Sequence, residues 1–231
     1  MIQRIWPNEY GGTSMPKKTI IFDMDGVLVD SEPFHCEAWI STYREIGIMI
    51  DPEYYFSRVC GQHGLVSTSM VLNDFNREYD REELIQRKEE LVCEMVAGKI
   101  LPLPGAVECI SLLKKNQYHI GLSSSTSYLG VQAILKNIGV HNTFSIIHAG
   151  ESVKKGKPNP DIYLKTAKMM DVDPPECVVV EDSSSGIISA KKAGMKVIGI
   201  LNGRNSREQL QFADHIVSGF HEITLELIEK I

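Results

Sequence analysis

Cysteine is scarce and scattered in this chain. Cys36, Cys60, Cys93, Cys109 and Cys177 are odd in number and never fall in a CxxC spacing. Neither a disulfide framework nor a zinc site is suggested, and reduced, mostly buried thiols are the expectation. A basic excess is missing too: the formal net charge is -6, which argues against a surface for nucleic acid. No apolar run approaches the roughly 20 residues of a membrane span. The opening MIQRIWPNEYGGTS lacks the apolar stretch of a signal peptide. Residues 1–16 are therefore expected to form a loose tail, with Met15 an alternative start. The protein is expected to be cytoplasmic, with neither membrane nor nucleic acid as a partner.

What remains is an ordinary globular balance, 43% hydrophobic and 23% charged over 231 residues, enough for one good core and a smaller companion domain. Strand-like and helix-like runs alternate over most of the length. Residues 19–24 (TIIFDM) are a continuous apolar run, the pattern of a strand buried on both faces. Further strands are expected at 118–124, 144–149, 177–181, 196–201 and 214–217. The helices between them mark their own ends. Pro104 and Gly105 open one, Gly139 closes 128–138, Asn159 and Pro160 start another, and Gly194 stops the one after Gly186. Such alternation predicts a Rossmann-like α/β fold, a parallel sheet covered on both faces.

One stretch breaks the pattern. From about Glu32 to Gly98 only helical signals occur, among them a capping box (Asp80, Glu83) and an apolar stripe of Leu84, Leu91, Val92, Met95 and Val96. The expected organisation is an α/β core from 17–31 and 101–231, interrupted by a helical domain at 32–100 that returns through LPLPG.

Carboxylates gather at expected strand ends. Asp23 and Asp25 lie in FDMDGV, where open α/β sheets bind ligands, and Gly26 permits a sharp turn. An Asp-rich turn alone is common and carries little. A second strand, CVVVE, also ends in an acidic pair, Glu181 and Asp182. Ionised groups at the end of a core strand are costly unless paired or metal-bound. Magnesium between Asp23 and Asp182, with waters and a phosphate oxygen as further ligands, satisfies them. The plainer alternative is that Asp182 caps the next helix. In GLSSSTS, the Ser124 hydroxyl and the amides near it, including that of Ser125, can hold phosphate oxygens, although a serine run is by default a capping loop. Lys157 in GKPNPD can bring positive charge to phosphate and to Asp23. Lys154 and Lys155 read as solvated loop residues.

DMDGV, a strand-end serine, a lysine in GKPNPD and ED after VVV resemble, in that order, the motifs of the haloacid dehalogenase superfamily. The resemblance runs from Lys17 to the end, and the helical insert matches that family's helical cap. DGVLVDSEPFH resembles the branch of β-phosphoglucomutase and sugar-phosphate phosphatases. The resemblance implies that Asp23 is a nucleophile forming an aspartyl-phosphate and that Asp25 is first general acid and then base. It further implies a magnesium site of Asp23, Asp182, the Asp25 carbonyl and a supporting Glu181, and a phosphate site of Ser124, Ser125 and Lys157. Dehalogenases lack a second carboxylate at the Asp25 position, because halide needs no proton on leaving.

In the insert, His35 matches a hinge histidine, Lys88 falls near a cap lysine, and Gln62, Arg58 and His63 are candidates to face substrate. A lone helix His is more often a satisfied surface or core residue, but the fixed offset of His35 from Asp25 favours function, whereas a Lys beside Glu89 and Glu90 is equally well a solvated residue. After Gly61, where mutases of that branch carry an arginine that grips a second phosphate, this sequence reads GQHGL and places Gly64. Hydrolysis of a small phosphorylated metabolite, a sugar or polyol phosphate, is therefore the leading expectation. A phosphomutase is the alternative. A non-catalytic binding protein comes third, because every expected catalytic position is filled.

Overall fold

The computed structural model describes residues 18–62, 64–150, 153 and 155–231; the expected tail with Met15, and the residues His63 and Lys154, lie outside the described residues. The strands are β1 (Thr19–Phe22), β2 (His119–Ser124), β3 (Ile146–Ala149), β4 (Cys177–Glu181), β5 (Lys196–Ile200) and β6 (His215–Val217). They form one parallel sheet in the order β3-β2-β1-β4-β5-β6. Each lies within two residues of its expected bounds. Strand β1 is buried throughout, and its alternation feeds two cores: Ile20 and Phe22 join one cluster, Ile21 the other.

The insert follows β1. It comprises α1 (Glu32–Glu45), α2 (Pro52–Tyr54) running into a π-helical turn (Tyr55–Val59), α3 (Gly64–Asp74) and α4 (Arg81–Val96). Among the described residues of 32–100 there is no strand. Asp80 caps α4, its Oδ1 accepting from the main-chain N–H groups of Glu82 and Glu83 at 2.8 and 3.2 Å. Trp39, Tyr43, Ile48, Val71 and Leu84 build a hydrophobic cluster inside the insert, with Trp39 stacked on Tyr43 at 5.3 Å. Helix α4 also reaches the sheet, because Leu91, Val92 and Val96 pack in the cluster of Ile20 and Phe22. The two chain crossings run side by side: the Leu103 N–H donates to Leu28 O at 2.8 Å, and Val29 bridges Pro102.

The remaining helices cover the sheet. Helices α5 (Ala106–Lys115), α6 (Tyr128–Asn137) and α9 (Leu225–Lys230) pack on one face through Ile110, Ile134 and Ile228. Helices α7 (Asp161–Met170) and α8 (Ser184–Lys192) pack on the other through Ile162, Tyr163 and Ile187. From β1 the strand order runs outward in both directions, so the crevice of an open sheet opens at the carboxyl ends of β1 and β4.

Candidate active site

Asp23 stands one residue beyond β1, and its N–H donates to Val180 O of β4 at 3.0 Å. That bond carries the pairing to the strand end, so Asp23 arrives beside Glu181 and Asp182. The approach is close enough to require glycine next door. Gly26 has φ +76°, and a Cβ there would lie 2.0 Å from Asp182 Oδ2. Asn202, after β5, donates its Nδ2 to Gly26 O at 2.8 Å and to Asp182 Oδ2 at 2.9 Å, orienting the carboxylate. The plainer alternative for Asp182 fails, because the cap of α8 is Ser183, whose Oγ accepts from the Gly186 N–H at 3.1 Å.

Lys157 joins the two strand ends. Its Nζ donates to Asp23 Oδ1 and to Glu181 Oε1, both at 2.6 Å, and its side chain is only 8% exposed. Glu181 is fully buried and fully used. Oε1 also accepts from Tyr163 OH at 2.8 Å, while Oε2 accepts from the N–H groups of Asp182 and Ser183 and the Ser183 hydroxyl, each at 3.0 Å. Burial would raise the pKa of Glu181, but Lys157 and these donors outweigh it and hold it low. Lys157 is held charged against its own burial by Asp23 and Glu181. One lysine does not neutralise the group. Burial, with the nearby carboxylates, pushes Asp23 well up and Asp182 to about 8.

Asp25 belongs to a separate cluster. Its Oδ1 accepts from Ser31 at 2.5 Å and lies 3.4 Å from His35 Nε2; its Oδ2 accepts from Ser124 at 3.0 Å and Thr126 at 2.8 Å. Burial works to raise its pKa, yet His35 and the hydroxyls of Ser31 and Thr126 prevail and keep it below the usual carboxylate range. His35 and Ser31 lie at the entry to the insert, while Ser124 ends β2 and Thr126 lies in the loop after it. Asp25 therefore ties the two together.

Ligand atoms of Asp23, Glu181 and Asp182 lie within 4.8 Å of one another. An all-oxygen set with surplus negative charge fits a hard divalent cation. Because the Glu181 oxygens are already filled and the Asp25 carboxylate is engaged by hydroxyls, the carboxylates left to hold such an ion are those of Asp23 and Asp182. This narrows the expected ligand set: Glu181 orients Lys157 and the chain at Asp182, and Asp25 has only its carbonyl to offer.

The other expected residues divide. Ser124 is fully buried against Asp25, whereas Ser125 is exposed and Ser127 takes the capping role on α6. Lys88 is buried, paired with Glu89 at 2.7 Å and lying 5.7 Å over the Trp39 ring. Gln62 is exposed, Lys155 is exposed, and Arg58 is turned to Asp74 at 2.8 Å. Sequence reading passed over Ser31, Thr126, Tyr163 and Asn202. Of these, Thr126, two residues past Ser124, and Asn202, just past a strand end, carried a positional signal.

A family model for haloacid dehalogenase-like hydrolases matches residues 17–194. The chain belongs to that family. This haloacid dehalogenase-like hydrolase is 31% identical over 221 residues to the beta-phosphoglucomutase of Bacillus subtilis, covering 92% of this chain and 94% of that protein. It is 32% identical over 213 residues to hexitol phosphatase A of Escherichia coli, covering 90% and 94%. The crystal structure of CbbY from Rhodobacter sphaeroides in complex with phosphate superposes with a TM-score of 0.82 at 26% identity, covering 92% of this chain and 99% of that one. The hydrolase is thus an enzyme of the branch that holds sugar-phosphate phosphatases and phosphomutases. No helix among its described residues is long and apolar enough to cross a membrane.

Proposed function

We propose that the protein is a magnesium-dependent phosphatase that hydrolyses a small sugar or polyol phosphate through an aspartyl-phosphate on Asp23. The observation that carries this reading is Lys157, bound at 2.6 Å to Asp23 Oδ1, beside the under-neutralised carboxylate of Asp182. Asp23 attacks phosphorus, and the bond to the leaving oxygen breaks as Asp25, first protonated from solvent once substrate displaces some of its donors, gives that oxygen its proton. Water then attacks the phosphorus of the aspartyl-phosphate, Asp25 takes its proton, and phosphate and the Asp23 carboxylate are released. Lys157 and the Ser124 hydroxyl hold phosphate oxygens, and catalysis is mainly positioning and charge. Magnesium held by Asp23 and Asp182 would offset the charge of phosphate and carboxylates. To act, Asp25 must exchange some of its four present contacts for the leaving oxygen.

Hydrolysis is favoured over isomerisation by Gly64. Glycine has no side chain, so position 64 offers no arm for a second phosphate. The five cysteines are free, which supports the reducing setting of the cytoplasm. The test is purified protein against a panel of sugar and polyol phosphates, with magnesium or chelator. Phosphate release that needs magnesium is expected. Turnover indifferent to chelator, or unchanged in Asp23→Asn, would sink the reading.

A further inference from the structure

The insert presents a carboxylate to the Asp25 cluster. Glu89 of α4 accepts from Lys88 Nζ at 2.7 Å through Oε1 and from Ser127 Oγ at 2.5 Å through Oε2, with its side chain 17% exposed. Ser127 directly follows Thr126, whose hydroxyl holds Asp25. A methyl placed on Gly130 would touch both Thr126 Cγ2, at 2.8 Å, and Glu89 Oε2, at 3.3 Å. Glu89 is thus joined through Ser127 to the loop that holds Asp25, and its charge is felt by His35, which also contacts Asp25.

The charge around Glu89 is already balanced. Lys88 is buried and committed to Glu89, its neighbour Arg87 is turned to Glu45 and Glu90, and His35 is turned to Asp25. Burial works against the charged form of Glu89, but Lys88 and the Ser127 hydroxyl keep it anionic. A carboxylate offers about four lone-pair sites, of which the two protein donors take two. The remainder suit hydroxyl groups. A second phosphate there would meet a carboxylate whose paired lysine is already taken.

Resting on the phosphatase reading above, we propose that Glu89 is a specificity-determining residue, accepting hydroxyls of a neutral polyol leaving group and excluding a substrate with a second anionic group at that end. The test compares kcat/KM for glucitol 6-phosphate and for fructose 1,6-bisphosphate in the wild type and in Glu89→Gln, whose amide leaves the Lys88 charge uncompensated. Wild type is expected to prefer the monophosphate by about tenfold or more, and Glu89→Gln to shift that ratio toward the bisphosphate by about tenfold or more. An unchanged ratio in a variant with a normal unfolding transition overturns the proposal. Should Glu89→Gln fail to fold, Glu89→Asp decides: it keeps the charge, so discrimination against the bisphosphate must persist, and its loss overturns the proposal. Hydrolysis of p-nitrophenyl phosphate, dependent on magnesium and Asp23, runs alongside. Its presence with an unmoved ratio removes only the role of Glu89, whereas its absence removes the phosphatase reading and this inference with it.

Discussion

Ser124 donates its hydroxyl to Asp25 at 3.0 Å, so the side chain proposed to hold phosphate already holds the side chain proposed to move protons. A phosphate that takes the Ser124 hydroxyl removes one donor from Asp25, and an anion with fewer donors is easier to protonate. On the proposed roles, phosphate binding and readiness of the acid would be coupled through one hydroxyl.

Replacing the two aspartates should separate their roles. Asp23→Asn is expected to lose at least about 10³-fold in kcat, as when a nucleophile is removed. Asp25→Asn should lose about 10² to 10⁴-fold, with phosphate binding retained. Single-turnover kinetics with acid quench check the pair: Asp25→Asn can still accumulate phosphoprotein from a substrate with a good leaving group, and Asp23→Asn cannot.

Magnesium affinity should depend on pH through Asp182. Its pKa is raised to about 8 in the fold, so below that pH a proton must leave before a cation binds. Apparent affinity should rise by at least about tenfold per pH unit toward pH 8, because the Asp23 carboxyl is raised as well. The same shift carries a stability consequence of definite sign. Between about pH 4 and pH 8 the folded state binds the Asp182 proton and the unfolded chain does not, so without metal this contribution is lost as pH rises. Thermal unfolding in chelator should show Tm falling over that window, with magnesium restoring it most at pH 8. A magnesium titration midpoint that is flat from pH 6 to pH 8 would contradict the assignment.

Gly26 and Gly61 offer a matched comparison. Both have positive φ, +76° and +74°, but only at Gly26 would a Cβ strike a neighbour, the Asp182 carboxylate, while Gly61 has open space. Gly61→Ala should cost about 1–2 kcal/mol of stability, the usual penalty of the left-handed conformation, and leave activity intact. Gly26→Ala should cost more and lose magnesium affinity, because Asp182 must move. Equal effects of the two on metal affinity, by calorimetric titration, would refute this.

Glu181→Gln removes a negative charge from Lys157 and turns an amide N–H₂ toward groups that now donate to the carboxylate. Breaking a buried ion pair in this way costs about 3–5 kcal/mol. For a chain of this size that is a Tm loss of roughly 10 °C. Differential scanning calorimetry at constant pH checks it. A loss below about 2 °C would mean that the five hydrogen bonds to Glu181 contribute little to the stability of the fold.

The sheet was legible because it is written in short range. Runs such as TIIF and CVVVE bury on both faces, and glycine, proline and serine beside them stop or start helices through local φ and local donors. Asp23, Asp182 and Lys157 could be picked out for a related reason: each stands at or near an end of a recognisable element. Their separation of 2.6 Å from Lys157 to Asp23, across 134 positions of sequence, was not legible, since it follows from strand order and not from any pattern along the chain. Nor could sequence tell that the Glu181 oxygens would be filled by Lys157, Tyr163 and Ser183, or that Asn202 would reach Gly26 and Asp182. By itself the sequence determined which elements form and which chemical groups sit at their ends. Tertiary structure alone decided which of those groups meet, because burial and hydrogen bonding are settled by neighbours that the chain brings from far away.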